Sequence, residues 1–68
     1  MSRLDCLGQN IKKYRKAKGL KQSEFALALD CTCEFISKTE HGKRYLSQRK
    51  LFELADILGV EVKDLMDF

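Results

Sequence analysis

"QSEFALALDCTCEFISKTEHG", residues 22–42, places two short apolar-patterned segments on either side of an aspartate and closes on a glycine. In the first segment Phe25, Ala26 and Leu29 line one side of a helix expected over about 22–29. Asp30 then turns the chain, because Asp tolerates the left-handed backbone that most residues avoid. Thr32 is suited to N-cap a further helix, expected over about 32–41, and Gly42 ends it.

The second segment divides into two faces. Positions 32, 35, 36, 39 and 40 hold Thr, Phe, Ile, Thr and Glu on one side; positions 33, 34, 37, 38 and 41 hold Cys, Glu, Ser, Lys and His on the other. The outer set is short-chained or hydrogen-bonding. A helix that is only solvated more usually carries Glu and Lys at i, i+4, so this face is expected to lie close against something polar.

Working outward, Leu4, Leu7, Ile11 and Tyr14 recur at helical spacing and predict an amphipathic helix over about 4–17, ended by Gly19 with Leu20 as the apolar contact beyond it. Ser47 caps a helix over about 48–58, whose Leu51, Leu54, Ala55 and Leu58 form an i, i+3, i+4, i+7 stripe before Gly59. Val62, Leu65 and Met66 mark a last helix over about 61–66. With no proline and no strand-like alternation, the expected architecture is all-α: a compact five-helix bundle forming a single domain over 1–68.

Bulk properties exclude several classes. A chain of 68 residues builds only a small core, with little room for a substrate cavity of roughly 300–1,000 Å³. The longest apolar run, "FALAL", is far short of the roughly 20 residues a membrane span needs. No apolar signal segment opens the chain, so a cytoplasmic location is expected. Three cysteines are an odd number; Cys31 and Cys33 stand two apart, a spacing unlike the recognised zinc pairs, and Cys6 and Cys31 read as small apolar packers. No metal and no cofactor are expected.

Charge is unevenly placed. Residues 1–50 carry a balance of +7 and residues 51–68 a balance of −4, within a net +3. Such a distribution suits an anion-facing body with an acidic far end.

From Leu20 to Leu65, "LKQSEFALALDCTCEFISKTEHGKRYLSQRKLFELADILGVEVKDL" resembles the phage-repressor/Cro-type (XRE family) helix-turn-helix domain. Gln22, Ala26, Ile36, Ser37, Glu40, Gly42, Lys43 and the Leu58-Gly59-Val60 run stand where that pattern has them, and the likeness covers roughly residues 4–66. The departures are Lys21 for a capping Ser or Thr, Asp30 for Gly, Thr39 for an apolar residue and Leu46 for Pro. Lys21 has no side-chain acceptor, a loss of about 1 kcal/mol at the helix start.

The resemblance implies a lambda-repressor-like fold in which the helix over 32–41 enters the major groove of double-stranded DNA. It implies Cys33, Glu34, Ser37 and Lys38 as base-contacting residues, and Gln22, His41, Lys43 and Arg44 as phosphate contacts. Lys38 suits guanine O6/N7 and Glu34 the cytosine N4 amine. Arg15 and Glu40 are implied as a partly buried structural ion pair. No nucleophile–base constellation and no phosphate loop accompany them, so no enzymatic activity is expected.

The expected function is a DNA-binding transcriptional regulator, a repressor acting as a homodimer on a palindromic operator, with no small-molecule substrate. Met66 and Phe68 are the expected dimer contacts. Two alternatives stay open at this point: a protein-binding module such as an antitoxin with secondary DNA autoregulation, and a metal-dependent thiol sensor acting through Cys33.

Overall fold

The computed structural model describes residues 2–68. Five helices follow in order: α1 (Arg3–Ala17), α2 (Gln22–Ala28), α3 (Cys33–Glu40), α4 (Gln48–Leu58) and α5 (Val62–Leu65), with no strand among the described residues. The expected all-helical architecture is borne out.

Helix starts follow from side chains that accept orphan backbone donors. At α1 the Ser2 hydroxyl takes the Asp5 N–H at 3.1 Å while the Asp5 carboxylate takes the Ser2 N–H at 3.1 Å, a reciprocal capping box. The Ser2 hydroxyl, which donates to Asp5 Oδ2 at 2.9 Å, and then the Ser2 N–H hold the Asp5 carboxyl below the usual carboxylate range. Thr32 and Ser47 cap α3 and α4 through Phe35 and Lys50, each at 3.1 Å. Lys21 supplies no cap from its side chain, yet Glu24 Oε1 accepts the Lys21 N–H at 2.8 Å. Half of a capping box therefore survives, and the start of α2 is better supported than Lys21 alone implies.

Helix ends share one device. After α1, Gly19 has φ of +76°, its N–H bonds to the Lys16 carbonyl, and the Leu20 N–H reaches back to Arg15. The same pair of reverse bonds recurs at Gly42 and Gly59, the Schellman pattern that satisfies the last carbonyls. Between α2 and α3 the left-handed position is Asp30, φ +56°, with Asp30 N–H to Leu27 and Cys31 N–H to Ala26. Thus the helix-turn-helix turn is a Schellman end in which an aspartate occupies the place that glycine fills elsewhere in this chain.

Ile11, Phe25, Ile36, Leu54 and Leu65 are almost wholly buried at the centre, one from each helix. Leu54, Ala55 and Leu58 carry the inward stripe of α4, with Leu51 half-buried beside them. Cys6 and Cys31 are half-buried, and burial pushes the Cys31 thiol up. Two distant side chains lock the outer helices. Asn10 Nδ2 donates to the Leu65 carbonyl at 2.8 Å and the Asp67 carbonyl at 3.3 Å, tying the chain end to α1. Lys50 Nζ donates to the Leu29 carbonyl at 2.7 Å, tying α4 to the end of α2.

The α1–α3 contact depends on Gly8. A Cβ there would stand 2.5 Å from the Thr39 carbonyl oxygen and 2.6 Å from that of Glu40, so the two backbones touch. Thr39 is itself buried, with a hydroxyl that finds no partner. Gly8→Ala gains about 1 kcal/mol of helix propensity but drives a methyl into backbone that cannot rotate away, an overpacking cost of typically 1–3 kcal/mol or more. We expect a net loss of stability, read as a lower midpoint in urea with unchanged slope; a midpoint at or above that of the parent would show that α1 and α3 can separate without cost.

Candidate nucleic-acid interface

Behind α3 lies a buried ion pair. Arg15 Nε donates to Glu40 Oε2 at 2.6 Å and its Nη2 to Oε1 at 3.2 Å, with side chains only 7% and 0% exposed. Arg15 Nη1 also donates to the Leu20 carbonyl at 2.6 Å. A buried charge needs this density of partners, because an unpaired one costs several kcal/mol.

Gln22 joins the same network. Its Nε2 donates to Glu40 Oε1 at 3.1 Å and the side chain is half-buried. The phosphate contact implied for Gln22 is therefore narrowed: one amide N–H is directed inward, which leaves one for an outside acceptor.

With its rear held, α3 presents a narrow outer stripe. Cys33, Glu34 and Lys38 are exposed and Ser37 is half-buried. Thr32, assigned to the inner face by periodicity, is exposed because it is the cap and its hydroxyl turns onto the Phe35 N–H. Glu34 Oε1 and Lys38 Nζ meet at 2.9 Å, so this face does carry the i, i+4 Glu–Lys pair of a solvated helix. The inference that α3 lacks such a pair was incorrect, since positions 34 and 38 have that spacing. The hydrogen bond from Lys38, and then its charge, hold the Glu34 carboxyl below the usual carboxylate range.

The exit of α3 is basic. His41, Lys43 and Arg44 are all exposed, and His41 Nδ1 lies 2.7 Å from the Ser37 carbonyl, which sets the ring against the helix end. Arg44 stacks its guanidinium 4.5 Å from the centroid of the Phe35 ring. Gly42 lies so close to α1 that a Cβ on it would stand 2.8 Å from the Asp5 Cα, which anchors the turn preceding these cations.

Three positioning residues went unrecognised in the sequence: Asn10, Lys50 and Gly8. Their partners lie 55, 21 and about 30 residues away, where no local period signals them. Phe52, on α4, is a further exposed aromatic, 52% accessible, that the apolar stripe of that helix does not reveal.

Two open clefts of about 340 and 370 Å³ reach the lower size range of ligand sites. Both are shallow and lined mainly by polar and charged side chains, among them Asp5, Lys12 and His41 in the first and Arg49, Lys50 and Glu53 in the second. Among the described residues, no cluster of three or more His, Cys, Asp or Glu side chains could hold a metal ion, and no helix is long and apolar enough to cross a membrane.

A short helix presented outward on a buried ion pair, preceded by a tight turn and followed by cations, defines a class of protein. Residues 11–65 match the helix-turn-helix family. The chain is 34% identical over 62 residues to the control protein C.BamHI of Bacillus amyloliquefaciens, covering 90% of this chain and 76% of that protein. Its fold matches the restriction-modification controller protein C.AhdI from Aeromonas hydrophila with a TM-score of 0.86 at 31% identity, over 91% of this chain and 94% of that one. It also matches SinR, a master regulator for biofilm formation solved in complex with DNA, with a TM-score of 0.83 at 34% identity, over 90% and 98% of the two chains. The chain belongs to the helix-turn-helix family of DNA-binding transcriptional regulators.

The ion pair yields a direct test. Removing one partner of a buried pair leaves a lone charge inside, at about 3–5 kcal/mol, a large share of a small domain's stability. Arg15→Met and Glu40→Leu should each lower the melting temperature strongly, and the double variant should recover much of the loss. Strictly additive losses in calorimetry would contradict the coupling that the 2.6 Å contact implies.

Proposed function

We propose that this regulator is a repressor that binds a palindromic operator as a homodimer, with α3 in the major groove. The observation that carries this reading is the outer stripe of exposed Cys33, Glu34 and Lys38 with half-buried Ser37, on a helix whose opposite face is held by the Arg15–Glu40 pair. Cys33, at the first turn of α3, and Ser37, one turn on, are short enough to let the helix approach base edges. Lys38 donates to guanine and Glu34 accepts from cytosine. Arg44, Lys43, His41 and the remaining amide N–H of Gln22 contact phosphate, fixing register without reading sequence.

SinR, solved with DNA, supports a DNA-facing role for this fold, and the controller proteins support a regulatory one. An electrophoretic shift on the promoter of the protein's own gene tests the reading as a whole. Within it, Lys38→Ala should cost on the order of 1–3 kcal/mol at the preferred site and flatten discrimination at one base pair. Lys43→Ala should weaken all sequences alike and lower the salt slope by about one unit. Uniform losses from both substitutions would reduce Lys38 to a phosphate contact.

The dimer follows from the need for specificity. One recognition helix reads too few base pairs to stand out among competing genomic sites; two copies related by a two-fold axis would read half-sites about 34–36 Å apart. Leu65 is fully buried and belongs to the core, whereas Met66 and Phe68 are 48% and 52% exposed and supply an apolar contact at the acidic end. We expect a weak dimer in solution that tightens on an operator-length duplex, measured by analytical ultracentrifugation. One protomer per duplex at saturation, or full operator affinity after Met66→Ser and Phe68→Ser in a folded protein, would contradict it.

A further inference from the structure

Of Lys43 and Arg44, which follow α3, Arg44 is the one held by a neighbouring side chain, an aromatic ring on the recognition helix itself. We propose that Phe35 is a positioning residue for DNA binding: its ring holds the Arg44 guanidinium ready for a backbone phosphate. The proposal rests on the DNA-binding reading above.

Phe35 is half-buried and packs against the hydrophobic core, so its ring is fixed by the same contacts that fix α3. Arg44 lies in the non-helical link between α3 and α4, where a long side chain would otherwise sample many rotamers. The guanidinium carbon stands 4.5 Å from the ring centroid, within cation–π range. Stacking engages the flat face of a guanidinium and leaves its N–H donors free around the edge. A phosphate can therefore approach that edge while the stack persists, and the rotamer entropy of Arg44 is lost before DNA arrives rather than on binding. Lysine at this position has no flat face to stack and would take a phosphate only as a mobile point charge.

The geometry also separates Phe35 from the base-reading set. Glu34 and Ser37, one and two residues away, lie on the outer stripe of α3, while Phe35 faces the exit loop. Loss of the ring should thus weaken operator and unrelated DNA by the same factor and leave the preferred sequence unchanged, because phosphate contacts position and do not specify.

The experiment compares Phe35→Leu, Phe35→Tyr, Arg44→Ala and the Phe35→Leu/Arg44→Ala double variant. Their affinities are measured by fluorescence anisotropy on a mixed-sequence duplex and on a duplex recovered by in vitro selection with the parent protein. Phe35→Leu should weaken both duplexes about two- to five-fold, the size of an exposed cation–π contact. Phe35→Tyr should keep parental affinity, and Phe35→Leu should cost nothing further once Arg44 is alanine. Arg44→Lys, which does not touch the core, gives a second route: it should lose affinity despite its charge, and adding Phe35→Leu to it should have little effect. In the free protein, NMR should find the Arg44 Cδ protons shifted upfield by the ring current in the parent and at ordinary positions in Phe35→Leu. An equal cost of Phe35→Leu with and without Arg44 would overturn the proposal by making the ring a packing residue only. So would Arg44→Ala binding as well as the parent, or Arg44→Lys retaining full affinity. A parent protein that binds neither duplex would instead bring down the DNA-binding reading, and this assignment with it.

Discussion

The Arg15–Glu40 fork is the contact on which the arrangement of this molecule turns. Both side chains are withdrawn from water, and each makes a further bond to another segment: Arg15 donates to the Leu20 carbonyl, and Glu40 accepts from Gln22. The end of α1, the link after it, the first turn of α2 and the last turn of α3 therefore meet at one charged centre. A buried pair of this kind gives little net stability relative to apolar residues of the same size. Its consequence here is orientational: α3 can turn only one face outward without leaving a charge unpaired.

Close backbone contact reinforces that orientation. Gly8 lets α1 reach the carbonyls of Thr39 and Glu40, and Gly42 brings the exit of α3 against Asp5. Asp30 tightens the turn on the other side, at some strain, since a side chain occupies a left-handed position there. Lys50 holds the carbonyl just before that turn. Helix α3 is thus gripped at its start, its back and its end, and the orphan hydroxyl of Thr39 shows that close fit was reached at the expense of one unsatisfied polar group.

Electrostatics divides the outward surface into two parts. On α3 the Glu34–Lys38 pair neutralises itself, so the outer stripe adds little general attraction for an anion. Beyond α3, Lys43 and Arg44 have no carboxylate partner among the described residues, and they stay available to phosphate. In the proposed function, affinity and discrimination accordingly fall to different residues, the division expected of proteins that search DNA before they recognise it.

Much of this was legible in one dimension. Capping hydroxyls at Thr32 and Ser47, glycines at 19, 42 and 59, the turn at Asp30 and the inward stripes of α1 and α4 all obey rules that act within four or five residues, and the family pattern placed Arg15 beside Glu40. The Glu34–Lys38 pair was equally local and was misread. Tertiary structure alone decided the rest: that Gln22 gives an amide proton to Glu40, that Gly8 is a contact point, that Asn10 and Lys50 hold carbonyls in distant helices, and that Phe35 supports Arg44. These depend on the distance and angle at which helices dock, which follow from packing the whole core at once and not from the period of any single helix.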